Sequence, residues 1–115
     1  MKIGNRSIGP NEPPLVIAEI GINHGGDLGV AKNMVDLIVS SGCECVKHQT
    51  HIIEDEMTEE AKSIFPPNVD KSIWDVMKEN SLTLEEEEEL KKYAENLGLI
   101  WISTPFSRKA VDFLD

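Results

Sequence analysis

Polar and charged side chains interrupt three apolar segments of this sequence. Glu19 lies inside the run 15–22 (LVIAEIGI), Lys47 and Gln49 end a second segment, and Thr104 ends a third. A carboxylate within an apolar strand has a large desolvation cost unless a cation or a hydrogen-bond donor faces it. The sequence therefore predicts that Glu19 has a partner, and Lys47 is the candidate.

The alternation of side chains along a strand determines which of these groups share a face. Residues i and i+2 point to the same side, so Lys47 and Gln49 share one face, and Thr104 shares the face of Ile102. If Glu19 points the same way, the four polar groups converge at the carboxyl ends of parallel strands, where active sites of α/β folds collect. The alternative interpretation is that Glu19 and Lys47 form a structural buried ion pair.

The three histidines do not by themselves predict a metal site. On the same alternation His48 points toward the helices, and His24 and His51 fall in loops, so a complete ligand set within these residues is not expected. A metal completed by residues outside this sequence stays open. Cys43 and Cys45, two apart in a predicted strand, indicate reduced thiols rather than a disulfide.

Hydrophobic periodicity predicts the elements that position these groups. Apolar runs bounded by turn residues predict strands at 15–22, 43–48 and 99–103, the first of them buried on both faces. Apolar residues at helical spacing predict helices at 27–41, at 83–97 behind a Thr83 and Glu86 capping box, and after residue 106. Residues 1–9 predict a small hairpin through Gly4 and Asn5.

The segment 49–81 has no clear period. Connections of this length are usually functional or insertions. Its amphipathic patch of Ile73, Trp74 and Met77 predicts a local core rather than a ligand site. The run 85–89 then places five glutamates in the first turns of a predicted helix. They favour the positive end of that helix, and we expect them to form a solvated face.

Length and composition limit the possible classes of fold and function. The 115 residues, 40% hydrophobic and 28% charged, describe one ordinary globular domain at most. A net charge of -10 without a basic stripe argues against nucleic acid as a partner. No apolar run approaches the roughly 20 residues that cross a bilayer, and the N-terminus lacks the core of a signal peptide. We therefore expect a cytoplasmic protein that does not contact a membrane.

Three strand and helix units predict an α/β fold that is part of a larger sheet. They amount to just under half of a (β/α)₈ TIM barrel, which typically has about 250 residues. A doubly wound domain is the alternative, but it also needs further strands. The prediction is therefore the N-terminal portion of a TIM barrel, about three strand-helix units, preceded by a small hairpin.

Three motifs in order carry a resemblance to a known family. The sequences IAEIGINHGG, VKHQTHIIEDEM and ISTPFS, preceded by IGNRSIG, resemble the N-terminal part of bacterial sialic acid synthases, the N-acetylneuraminate synthase family, over essentially the whole chain. The motif KHQTH resembles the N-acetylneuraminate branch, because legionaminic and pseudaminic acid synthases usually carry an aromatic residue where His48 stands. Gly25 departs from the family, which usually has a larger residue there, often Asn or Glu.

The resemblance implies a fold, an assembly and a reaction. The fold is a TIM barrel followed by a small antifreeze-like domain, in a homodimer, so residues 1–115 correspond to the N-terminal part of the barrel alone. The reaction condenses phosphoenolpyruvate with N-acetylmannosamine and releases phosphate, with a divalent metal, Mn²⁺ or Mg²⁺, polarising the aldehyde. The metal ligands lie outside this chain, so none of its residues is expected to bind the metal and these 115 residues alone are expected to be inactive.

The resemblance also implies roles for five residues. Lys47 supplies a cation for the carboxylate or phosphate of phosphoenolpyruvate, and Glu19 faces the positive charge that develops in the reaction. Gln49 and Thr104 contact the substrates, Thr104 on the phosphate side, and Asn68 contacts the sugar. Two other readings stay open: a legionaminic or pseudaminic acid synthase of the same family, and a non-enzymatic α/β binding module.

Overall fold

The fold is a parallel three-stranded sheet that alternates with helices and follows a small hairpin. The computed structural model describes residues 1–115. The strands are β1 Lys2–Ile3, β2 Arg6–Ser7, β3 Ile17–Gly21, β4 Cys45–Thr50 and β5 Ile100–Pro105. The helices are α1 Leu28–Ser40, α2 Ile53–Glu56, α3 Ile73–Asn80, α4 Leu84–Asn96 and α5 Arg108–Leu114, with a 3₁₀ helix at Glu59–Ser63. The predicted hairpin and the three predicted strand-helix units are confirmed.

The main sheet has the strand order β3, β4, β5, with all three strands parallel. Its register places Glu19 opposite Lys47, Lys47 opposite Ile102, and Gln49 opposite Thr104. Adjacent residues on neighbouring strands point to the same face of a sheet. The register therefore supports the predicted common face, although an irregularity between Glu19 and Gly21 shifts the end of β3.

The core lies between the other face of the sheet and helices α1 and α4. Ala31, Val35 and Ile38 of α1 and Leu90 and Ala94 of α4 are buried there. Burying such side chains contributes roughly 1.5 to 3 kcal/mol for each large aliphatic residue. Both helices begin where the sequence predicts, because each has a side-chain cap on its first turn. Asp27 accepts a hydrogen bond from the Val30 amide, and Thr83 forms a capping box with Glu86.

One prediction about β3 is wrong. The strand was expected to be buried on both faces, yet only Ile20 and Gly21 are buried, and Ile17 and Glu19 are exposed. The reason is that β3 is an edge strand here, and no other element of residues 1–115 packs on the face that carries Ile17 and Glu19.

The segment between β4 and α4 contains more regular structure than the sequence indicates. It forms α2, the 3₁₀ helix and α3, each of four to eight residues. Elements this short complete two turns at most, so a hydrophobic period is not visible in them. The predicted local core is confirmed, because Ile53, Ala61 and Trp74 form a second buried cluster against which Ile73 and Met77 pack.

The hairpin is joined to the start of β4 by an ion pair. Arg6 Nε lies 2.8 Å from Glu44 Oε2 at the end of the sheet opposite the polar residues. The largest concavity of the molecule lies at this same end, lined in part by Arg6, Gly42, Glu44 and Gly98. Cys43 and Cys45 are free thiols, as predicted. No helix has both the length and the hydropathy to span a membrane.

Candidate active site

An ion pair between β3 and β4 lies at the centre of the polar face. Lys47 Nζ is 2.7 Å from Glu19 Oε1, so the predicted partnership is confirmed. Hydrogen bonds from Lys47, which has the larger effect, and from Gln49 lower the pKa of the Glu19 carboxyl below its ordinary value. The pair is not buried: 48% of the Glu19 side chain and 31% of the Lys47 side chain are exposed.

Within residues 1–115 the Glu19 and Lys47 pair is partly exposed, so it lacks the full burial that the structural interpretation describes. A buried pair would stabilise the fold only in exchange for a large desolvation cost. An ion pair open to solvent contributes little to stability. The role of the pair stays a prediction that mutation can test.

Gln49 extends this arrangement along β4. Its side-chain Nε2 donates a hydrogen bond to Glu19 Oε1 over 3.3 Å. Gly21 lies beside it with φ +52°, and a Cβ at that position would be 3.4 Å from Gln49 Nε2. The left-handed backbone at Gly21 strongly favours glycine, and it lets β3 turn away where the amide of Gln49 needs space.

The other two predicted site residues are placed differently. Thr104 is half-buried and is the register partner of Gln49, but its side chain makes no hydrogen bond. Asn68 is exposed in the turn after Pro67, with φ +65°, and makes no hydrogen bond to the other four residues. The structure thus brings Glu19, Lys47 and Gln49 into contact and adds Thr104 through the register, whereas Asn68 stays separate.

His51 is a site residue that the sequence prediction missed. It directly follows β4, and only 2% of its side chain is exposed. Its Nε2 is 3.1 Å from Gln49 Oε1, its Nδ1 is 2.9 Å from Glu56 Oε2, and its ring stacks on Phe106 with centroids 4.3 Å apart. Positions 47, 49 and 51 are two residues apart, so His51 continues the alternation of β4 just beyond the end of the strand. This spacing was the sequence signal that could have identified His51 as a site residue.

Glu87 contradicts the prediction of a fully solvated glutamate face. It is only 3% exposed, because helix α4 turns this one carboxylate of the run 85–89 toward the sheet. The Thr50 hydroxyl donates to Glu87 Oε1, and the Ser103 hydroxyl lies 2.7 Å from that of Thr50. Buried carboxylates require such partners, and both partners come from the helix-facing side of β4 and β5.

A pair of buried histidines connects Glu87 to the loop after β3. His48 points toward the helices, as predicted, with Nδ1 3.3 Å from Glu87 Oε1, a close contact without hydrogen-bond alignment. His48 Nε2 is 3.2 Å from His24 Nε2, and the rings stack. His24 Nδ1 accepts a hydrogen bond from the Gly26 amide. His24 therefore carries its proton on Nε2 and donates it to His48.

This network holds the first loop against the sheet. His24 lies in a loop, as predicted, yet the residue is only 3% exposed. Burial lowers the pKa of His24 below its ordinary value, and the proximity of the His48 ring lowers it further. The neutral ring is the form that both hydrogen bonds need.

The residues of this chain do not form a metal site. No group of three or more His, Cys, Asp or Glu side chains is placed to hold a metal ion. His24 and His48 face each other, and His51 faces an amide and a carboxylate.

A cation, a carboxylate and an amide therefore lie together at the carboxyl ends of β3 and β4. A Lys and a carboxylate in this arrangement can bind an anionic group and stabilise a positive charge that forms next to it. The register adds a hydroxyl from β5. The arrangement is suited to a small phosphorylated or carboxylated substrate.

Comparison with known proteins shows the family of this chain. The model of the NeuB family matches residues 34–115, more than half of the chain. The chain is 32% identical over 114 residues to human N-acetylneuraminate-9-phosphate synthase, covering 95% of this chain and 31% of that protein.

Two bacterial relatives are named as synthases of other acids. The chain is 31% identical to N,N'-diacetyllegionaminic acid synthase of Campylobacter jejuni, and the match covers 88% of this chain and 31% of that protein. It is 36% identical to pseudaminic acid synthase of Helicobacter pylori, and that match covers 90% of this chain and 32% of that protein. The chain thus spans about a third of the length of the curated relatives it matches.

A solved structure supports the fold. The N-acetylneuraminic acid synthetase of Leptospira borgpetersenii, solved in complex with citrate, superposes with a TM-score of 0.81 and 27% sequence identity. The match covers 99% of this chain and 36% of that one. The three-stranded arrangement described above is therefore also the arrangement of a sialic acid synthetase.

Proposed function

This chain belongs to the NeuB family, and on that premise we propose that it is the N-terminal part of an N-acetylneuraminate synthase. The full-length protein would condense phosphoenolpyruvate with N-acetylmannosamine and release phosphate. The observation that supports this most directly is the open Glu19 and Lys47 pair with Gln49 hydrogen-bonded to it. The family resemblance assigns Glu19 and Lys47 to the chemistry of phosphoenolpyruvate and Gln49 to substrate contact.

The proposed reaction uses both charged groups of the ion pair. C3 of phosphoenolpyruvate forms a bond to the aldehyde carbon of the open-chain sugar, and water adds at C2. The C2–O bond to phosphate then breaks, and phosphate leaves. Lys47 binds the carboxylate or phosphate of phosphoenolpyruvate, and Glu19 stabilises the positive charge that develops at C2. The lowered pKa of Glu19 keeps it a carboxylate at neutral pH, which this role requires.

The remaining residues are proposed as binding groups. Gln49 orients the bound substrates, Thr104 contacts the phosphate side, and Asn68 contacts the sugar. We further propose that a divalent metal, Mn²⁺ or Mg²⁺, is bound by residues outside this chain, and when bound it polarises the aldehyde. We also propose that the full-length protein is a cytoplasmic homodimer.

A legionaminic or pseudaminic acid synthase is the second candidate. It is favoured by the identities of 31% and 36% to relatives with those names, which lie on either side of the 32% identity to the human sialic acid relative. The motif KHQTH favours N-acetylmannosamine as the acceptor. Side-by-side assays with N-acetylmannosamine and the legionaminic and pseudaminic precursors decide between them, and a clear preference for either precursor would favour the second candidate.

The proposal is tested by a mutant cycle in the full-length protein. Glu19→Leu, Lys47→Met and the double variant are compared for stability and for kcat/KM. We expect each single change and the double change to lower kcat/KM by about 100-fold or more, as removal of one electrostatic group in other active sites does. We expect all three to remain folded, because both side chains of the pair are partly exposed within residues 1–115.

Another exposed ion pair provides the matched control. Lys71 Nζ and Glu79 Oε2 also form an ion pair, with both side chains 55% exposed, so Lys71→Met removes a comparable cation away from the site. This variant should keep the activity of the wild type. Recovery of activity in the folded Glu19→Leu and Lys47→Met double variant would contradict the catalytic role. No phosphate release by the wild type with any of the three sugars would leave the non-enzymatic binding module as the better explanation.

A further inference from the structure

His51 continues a chain of polar contacts that begins at the proposed catalytic pair. Lys47 contacts Glu19, Glu19 accepts from Gln49, Gln49 contacts His51, and His51 contacts Glu56. The first three of these residues have proposed roles toward substrate. His51 and Glu56 do not, and both of their side chains are buried, with 2% and 6% exposed.

The position of the Glu19 carboxylate determines the orientation of the Gln49 amide. A carboxylate oxygen can only accept a hydrogen bond, so the end of the amide that faces it must be the NH₂ group. The amide oxygen then faces His51 Nε2 over 3.1 Å. Because this oxygen can only accept, His51 Nε2 must carry a proton.

The second ring nitrogen of His51 also faces an acceptor. Nδ1 lies 3.1 and 2.9 Å from the two carboxylate oxygens of Glu56 in α2. It therefore donates as well, and only the imidazolium form donates from both nitrogens. The ring stacks on Phe106 after β5, and Glu56 is the charged group with which it pairs.

We propose that His51 is a positioning residue, an imidazolium that Glu56 holds in place and that fixes the amide of Gln49. The role in the reaction rests on the proposed function. A hydrogen bond from a cation is stronger than one from a neutral ring, so His51 keeps the Gln49 amide from flipping. The NH₂ group then stays directed at Glu19 and at the space where substrate binds.

Two conservative variants of His51 separate this role from simple pairing with Glu56. The Nε2 of a glutamine side chain lies where His Nε2 lies, and the amide of an asparagine lies where His Nδ1 lies. His51→Gln therefore keeps a donor toward Gln49, and His51→Asn keeps a donor toward Glu56 only. In the full-length protein, we expect His51→Asn to lower kcat/KM by about 10-fold to 100-fold, as small misplacements of binding groups do. His51→Gln should recover most of that loss.

A mutant cycle with Gln49→Ala measures the coupling. If His51 acts through Gln49, His51→Asn should have less than about a twofold effect on kcat/KM in the Gln49→Ala background. Equal effects in both backgrounds, or better activity of the Asn variant than of the Gln variant, would overturn the positioning role. Glu59→Gln, a change at an exposed glutamate of the neighbouring 3₁₀ helix, is the control and should leave activity unchanged.

The protonation state is tested without relying on synthase activity. In the full-length protein with ¹⁵N-labelled histidine, the His51 signals are assigned by their loss in His51→Asn. We expect both ring nitrogens to give the signals of protonated nitrogens in the wild type, and expect Glu56→Gln, which removes the charge that His51 faces, to change the Nδ1 signal. A neutral His51 in the wild type would overturn the inference. If the wild type has no synthase activity, the proposed function fails, and the ¹⁵N spectra still decide the state of His51.

Discussion

Replacing Glu87 should destabilise the protein far more than replacing its neighbour Glu88. Glu87→Ala removes the acceptor of the Thr50 hydroxyl and the group that faces His48. A hydrogen bond to a charged group contributes about 1.5 to 3 kcal/mol. Thr50 and Ser103 can still bond to each other, so one such bond is the net loss.

The space left by the missing side chain adds to this loss. Glu87 is 3% exposed, so its truncation leaves unfilled volume between α4 and the sheet, at roughly 0.8 kcal/mol for each buried CH₂. Relief of the desolvation of the carboxylate offsets part of the sum. The expected decrease in the free energy of unfolding is therefore about 2 to 4 kcal/mol.

Glu88→Ala provides the matched control from the same run. Glu88 is exposed and pairs only with Lys92 one turn later, an interaction of about 0.3 to 0.5 kcal/mol. Equilibrium urea denaturation of the two variants, followed by circular dichroism, measures the difference. The explanation given for Glu87 is wrong if the two variants unfold within about 0.5 kcal/mol of each other.

Two further predictions concern the loop after β3. Gly25 and Gly26 both have positive φ, but a Cβ on Gly26 would lie 2.3 Å from the backbone oxygen of Glu79, whereas one on Gly25 meets only the Asn80 side chain at 3.6 Å. Gly26→Ala should therefore destabilise the protein by about 1 to 3 kcal/mol more than Gly25→Ala in urea denaturation, and equal effects would show that the loop simply moves. Burial lowers the pKa of His24, so this ring binds a proton less readily in the folded protein than in the unfolded chain. The stabilising effect of the neutral ring is therefore full above the ordinary pKa of 6.5, and it is lost as the pH falls through the folded pKa. His24→Asn, which keeps an acceptor for the Gly26 amide, should flatten the dependence of stability on pH below 6.5, and an unchanged slope would refute this assignment.

The sequence alone was sufficient for the main strands and helices and for the central contact of the site, but not for the short elements between β4 and α4. Apolar runs and capping residues are local signals, so β3, α1, β4, α4 and β5 were predicted within a few residues of their observed ends. Period-two alternation is also local, and it placed Lys47 and Gln49 on one face and His48 on the other. The cost of a lone carboxylate in an apolar strand then selected Lys47 as the partner of Glu19.

The tertiary structure determined everything that depends on the distance between elements. Five consecutive glutamates are equivalent in the sequence, and only the packing of α4 against β4 and β5 buries Glu87 on the hydroxyls of Thr50 and Ser103. Likewise, a histidine in a loop has no predictable partner until the chain folds back. Here α2 brings Glu56, five residues after His51 in the sequence, against the His51 ring. Burial and hydrogen bonding depend on which surfaces pack together. Local sequence patterns determine the surface of each helix and strand but not which surfaces pack against each other.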